Sequence, residues 1–292
     1  MAHTKNDWMT HRWLLSAALL LLSCTASASG TEVVRKQVEA SLGLTGTIEV
    51  SRDGSVQSYV IDKVEKLPEV IVKFVHKNID SWKFEPVMVD GKAVAIRNNM
   101  SMLVVAKKQD DGQYLMRLQA ANFYPYKVEE RRQIASKTFT PPNYPEAAIR
   151  NGVTGTVYLV LKIGRDGKVQ DAIVEQVNLR IIDSEHRMQR YRGWLADASL
   201  EVARKWEFSS SASGEQASDP FRTVRVPLDF LFQGMATPKY GEWQTYVPGP
   251  RQRYPWAENE DPGYSPEALT AGSPHIVDDG GLRLLTPLGT EG

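Results

Sequence analysis

The groups in this 292-residue chain that could catalyse a reaction or hold a metal are five histidines, one cysteine and 35 acidic residues. Their spacing builds no such site. His3 and His11 fall in an N-terminal leader, and His76, His186 and His275 stand far apart. No histidine pair has metal-ligand spacing, and neither a Gly-x-Ser-x-Gly elbow nor a phosphate-binding loop occurs. Cys24 is the sole cysteine, so no internal disulfide forms, and the folded part must be held by apolar cores. The residues therefore read as a non-enzymatic protein without cofactor or metal. Lys+Arg and Asp+Glu both number 35, which gives no electrostatic argument for nucleic acid or for an anionic membrane.

The distinctive residues are instead Gly, Asp, Trp and Phe, in a pattern that occurs twice. Gly46, Asp53-Gly54 and Val56 are followed by Trp82-Lys83-Phe84-Glu85-Pro86. Gly155, Asp166-Gly167 and Val169 are followed by Trp206-Glu207-Phe208. The Asp-Gly pairs lie 113 positions apart, a period too long for a solenoid and suited to two copies of one small domain.

Elements follow from periodicity. Thr31 predicts a capped helix from Glu32 to near Gly43. Alternation over 45–50 predicts a strand, Asp53-Gly54 a hairpin turn, and 56–64 the returning strand. Ile71, Phe74, Val75, Ile79 and Trp82 form one helical stripe. Met102–Ala106 ends a third strand, and 113–120 continues as a fourth beyond Asp111-Gly112. In the second copy, Pro145 starts a short helix stopped by Gly152. Val157, Leu159, Leu161 and Ile163 alternate, and Val169–Val177 returns. Leu195, Ala198, Val202 and Trp206 make the helical stripe. Val224, Val226, Leu228, Phe230 and Phe232 form the last strand. The second copy is longer between turn and Trp, within Arg180–Gly193; a solvated loop or helix extension is one reading, a basic partner-binding patch the other.

The ends differ in kind. Lys5 and Arg12, an apolar run over 13–22 and Ala26-Ser27-Ala28 predict a signal peptide over 1–28. Leu21-Leu22-Ser23-Cys24 offers a second outcome, lipidation at Cys24. Both put the protein outside the cytoplasm. The tail beyond 234 is rich in Pro and Gly, with four basic and eight acidic residues from 236 onward. It reads as extended and largely irregular, its aromatics packed on the second domain, bound elsewhere or solvated.

The second copy resembles the C-terminal domain of TonB, the periplasmic energy transducer of Gram-negative bacteria. Tyr144-Pro145, Ala148, Gly152, Gly155, Val157, Asp166-Gly167, Val169, Trp206-Glu207-Phe208 and Val226-Pro227-Leu228-Asp229-Phe230 carry the likeness. The first copy shares Gly46, Asp53-Gly54, Trp82–Pro86 and Asp90-Gly91 but lacks a Tyr-Pro start. The resemblance implies an α+β fold of two small domains, 29–125 and 138–233, joined by a linker over 126–137. Each is a three- or four-stranded antiparallel sheet packed by two helices. It also implies binding of an extended peptide, such as a segment of an outer-membrane transporter, by strand addition at the sheet edge. Carried onto this chain, the partner-binding residues are Pro142, Asn143, Tyr144, Pro145, Val224, Val226, Leu228 and Phe230; core packing is the competing reading for each. The implied location is the periplasm, with outer-membrane attachment through Cys24 as an option. Two alternatives remain: an inner-membrane-anchored transducer, should the leader be retained, and a structural module that forms homodimers edge to edge.

Overall fold

The computed structural model describes residues 30–126, 136–209, 220–235, 239–257, 265–269, 274–277 and 282–289. The leader, Cys24 and most of the expected linker lie outside these residues. Among the described residues, no helix is long and apolar enough to cross a membrane.

The chain is α+β with antiparallel sheets. A short helix α1 (30–35) leads into β1 (Glu39–Val50) and β2 (Val56–Ile61). Helix α2 (Glu69–Ile79) follows, then the small hairpin β3 (Met88–Val89) and β4 (Lys92–Ala93). The long pair β5 (Ile96–Lys108) and β6 (Tyr114–Pro125) completes the first half. The second half runs β7 (Ser136–Thr138), α3 (Glu146–Arg150), β8 (Gly155–Gly164) and β9 (Val169–Leu179). It continues with α4 (Glu185–Ala203), β10 (Glu207–Phe208) and β11 (Phe221–Phe230). The tail supplies β12 (Gln244–Tyr246) and β13 (His275–Ile276).

The first sheet has the order β12-β1-β5-β6, with β2 also on β1; the second has the order β13-β11-β8-β9. One arrangement underlies both: a central strand (β1 or β8), its hairpin partner (β2 or β9) and a later strand (β5 or β11) on the other side. The turns agree bond by bond. Gly54 and Gly167 both have positive φ, and a Cβ on either would fall onto the carbonyl oxygen of Phe84 or Phe208. The amides of those phenylalanines donate to the Gly54 and Gly167 carbonyls, each at 2.8 Å. Asp53 and Asp166 each accept from the amide two residues on, at 3.0 Å. A left-handed backbone pinned under a strand explains why the Asp-Gly pair and the distant Phe recur together.

Each sheet buries one face under its helix. Ile71, Phe74, Val75 and Ile79 of α2 join Leu42, Leu44, Ile48, Trp82 and Phe84 in one core. Leu195 and Ala203 of α4 join Val157, Leu159, Trp206, Phe208 and Val226 in the other. Trp206 also donates its indole N–H to Thr140 O at 3.0 Å, so this buried aromatic leaves no orphaned polar atom.

Three expectations need correction. The predicted helix over 32–43 stops at residue 35, and the chain is in β1 from Glu39. The reason is that Leu42, Leu44, Ile48 and Val50 alternate onto one buried face, and a strand twelve residues long takes the segment from the helix. Pro145 precedes α3 rather than opening it. The last strand ends at Phe230, not Phe232. The extra length in the second half is a helix extension: α4 starts at Glu185, and Arg187 and Arg190 are taken up by Asp183 and His186 along it.

The tail is largely irregular, as its composition implies, with two short strands. It pairs β12 with Glu39–Ser41 of the first sheet. Val247 then exchanges backbone bonds with Leu179 of the second (3.1 and 2.7 Å). Its aromatics are divided between both halves. Tyr240 bonds Asp62 O at 2.6 Å, while Trp256 reaches Thr223 Oγ1 at 3.2 Å. Leu282 and Leu284 sit in the first core, whereas Val34 of α1 and Val247 sit in the second.

Candidate functional site: the outer edge of the second sheet

Strand β11 lies in antiparallel register with β8 from Phe221↔Gly164 to Phe230↔Gly155. The side chains of Val224, Val226, Leu228 and Phe230 point into the core and are at most 5% exposed. What these residues offer to the outside is therefore not their side chains. In an antiparallel strand, backbone groups alternate sides with the same period of two as side chains. Thr223 O accepts from Val277 N, at 2.9 Å, on the side away from β8. That fixes the phase: 223, 225, 227 and 229 turn their backbone groups outward. Pro227 sits at one of these positions, where the missing N–H costs the ladder with β8 nothing.

The Tyr-Pro segment closes the C-terminal end of this edge. Tyr144 stacks on Phe232 (centroids 5.2 Å, planes 14° apart) and meets Phe230 edge-on at 5.4 Å. Its hydroxyl donates to Val153 O, the residue after the α3 stop. Burial pushes the Tyr144 phenol up to about 12, so it stays a neutral donor. Pro142 and Pro145 are half-buried, and Asn143 is exposed. The structure thus brings Tyr144 and the end of β11 together.

At the other end of β11 the edge is already engaged. Strand β13 pairs Ile276 with Val224 and His275 with Arg225. In the first sheet the equivalent strand β5 is covered far more completely. There β6 pairs from Asn98↔Pro125 to Lys108↔Tyr114, with one bulge at Leu103/Val104.

A partly open cleft of mixed polar and apolar lining adjoins the edge. A cavity of about 410 Å³ is bounded by Thr45 and Ser101 of the first sheet and Tyr158 and Asp229 of the second, with Tyr246 and Glu267 of the tail. Arg180 bonds Asp229 at 3.1 Å and Thr156 at 3.2 Å. Glu267 accepts from Asn178 and, at 3.2 Å, from Gln176. Burial raises the Glu267 carboxyl above its ordinary range, and burial likewise raises the Tyr158 and Tyr246 phenols.

Sequence reasoning missed the ion cluster that fastens the tail beside this site. Glu175 is the unpaired residue of a bulge in β9, since Tyr158 pairs with Gln176 and Leu159 with Val174. The bulge re-aims its carboxylate. It accepts from Arg225 Nε (2.8 Å) and Nη2 (3.3 Å), and from Arg251 Nε (3.1 Å) and Nη2 (2.9 Å). Its side chain is fully buried. The unmatched Glu in a strand otherwise rich in apolar alternation was the available signal, but its partners lie 50 and 76 residues away.

The fold and this edge define a class: a small α+β domain whose terminal strand presents outward backbone groups beside a Tyr-Pro clamp. Residues 140–231 match the family described as Gram-negative bacterial TonB protein C-terminal. Over this stretch the chain is similar to the C-terminal domain of TonB. Over 98 residues the chain is 37% identical to the protein named TonB from each of two strains of Xanthomonas campestris pv. campestris. The match covers 33% of this chain and 37% of the relative, so the likeness spans about a third of each. No solved structure matches the chain.

Proposed function

We propose that this is a non-enzymatic periplasmic protein of TonB-dependent transport, made of two copies of one module. The second copy receives an extended segment of an outer-membrane transporter as an added strand on β11. Backbone bonds at 223, 225, 227 and 229 supply affinity, and the alternation of side chains supplies selectivity. One observation carries the reading. In the first sheet β6 fills the place beside β5, so that copy has no room there for a visitor; beside β11, among the described residues, β13 pairs at two positions. The matched turns and strand orders support the two-copy reading. The match of residues 140–231 and the TonB relative support the link to transport.

Photo-crosslinking in whole envelopes tests this. A photoreactive residue at position 229 should attach the protein to a TonB-dependent outer-membrane transporter through an extended segment, as mapped by mass spectrometry. Thr223→Pro, which removes an outward amide, should weaken that adduct. Adducts only between copies of this chain would favour edge-to-edge dimers, and no transporter adduct at all would refute the reading.

A further inference from the structure

The receiving edge carries a visitor of the chain's own. Strand β13 is covalently remote from β11: His275 and Ile276 lie 45 or more residues beyond Phe230 in sequence. Yet it lies antiparallel on the outward side of β11, with Val277 N donating to Thr223 O at 2.9 Å. The side chain of Ile276 packs against the second core, as an added strand's inward residue would. His275 faces the first half, its ring 6.1 Å from that of Tyr124. Trp256, also of the tail, bonds the Thr223 side chain. The segment thus reproduces, over a short stretch, the geometry a partner strand would adopt.

We propose that residues 275–277 are a resident stand-in for the partner strand. They occupy the head of the receiving edge and must leave before an extended segment can zip along positions 223–229. This rests on the strand-addition reading of β11 and adds its regulation. It also specifies the partner's chemistry: an antiparallel segment with an aliphatic residue at the Ile276 position and at alternate positions beyond it. Those residues would line up with Val226 and Leu228. The stand-in is built to be displaced, because the two pairs it makes among the described residues are far weaker than the eleven-pair ladder of β5 and β6. It is nevertheless tethered, so its effective concentration is on the order of millimolar. A visitor therefore meets an edge that is free only part of the time, and its apparent Kd rises by the reciprocal of that fraction.

The test uses the full chain and a synthetic peptide of its own residues 270–280, labelled for fluorescence anisotropy. Val277→Pro removes the amide that bonds Thr223 O and leaves β11 untouched. Ile276→Ser keeps the backbone and removes the aliphatic anchor, and serves if the proline variant does not fold. Expected results are at least about tenfold tighter peptide binding to either variant than to the native chain, and faster hydrogen exchange over 221–227 in the unliganded variants. Equal binding by native and variant chains would overturn the stand-in while leaving strand addition in place. Faster exchange with no binding by any chain would overturn strand addition on this edge and the stand-in with it.

Discussion

Removing the carboxylate of Glu175 should destabilise the protein more than any surface substitution, and the structure sets the size. Glu175 has a fully buried side chain, and Arg225 keeps only 5% of its side chain exposed. In Glu175→Ala four hydrogen bonds are lost. The two arginines then differ in fate. Arg251 is 36% exposed at its side chain and can rehydrate. Arg225 is held under the tail, its guanidinium 5.2 Å from the Tyr254 ring centre. Breaking a buried ion pair by removing one partner costs about 3–5 kcal/mol. For a chain of this size that is a drop of roughly 6–20 °C in Tm. Urea unfolding followed by tryptophan fluorescence reads the loss as a shift of midpoint at constant slope. The double variant Glu175→Met/Arg225→Met removes both charges and should recover most of it, because a buried pair contributes little net stability over packed apolar groups. A single-variant loss below about 1 kcal/mol would refute the reasoning. So would a double variant as unstable as the single one.

Two further outcomes follow from the geometry. Gly167→Ala and Gly54→Ala should each cost at least about 1–2 kcal/mol from the left-handed backbone alone, and more from the collision with the Phe208 or Phe84 carbonyl; equal stability of either variant in thermal melts would contradict the shared turn. Glu267 holds its proton in the folded state at pH values where the unfolded chain, near the ordinary 4.5, has released it. Its contribution is fully present below that ordinary value and is lost as pH rises through the raised one. Glu267→Gln should therefore flatten the fall in stability as pH rises above 4.5, and an unchanged pH profile would show that Glu267 ionises normally.

The local devices of the fold were legible in the sequence because short-range sterics dictate them. Asp53-Gly54 and Asp166-Gly167 announce turns, and Ile71 to Ile79 announces a buried helix face, whereas in α4 the stripe Leu195, Ala198 and Val202 is only partly met: Leu195 is buried, but Ser199 and Ala203 take the buried places of Ala198 and Val202. Val33, Val34 and Val38 keep a helical spacing that predicts a longer helix than α1, while the alternation from Leu42 onward belongs to the strand that wins. The tail is largely irregular, as its composition implies, but its pairings are not legible in the sequence. Proline and glycine exclude long elements, but they permit pieces such as β12 and β13, whose partners are set by distant strands. For the candidate site, the alternation from Val224 to Phe230 announces the strand β11. Their inward side chains were visible in the alternation, whereas the outward phase of 223, 225, 227 and 229 required the contact with Val277.

The two ends of the chain are crossed. Val34, near the start, is buried with the later half, and Leu282 and Leu284, near the finish, are buried with the earlier half. The polypeptide is thus buckled on itself, and severing it at the midpoint would leave each fragment with a gap that only the other can fill.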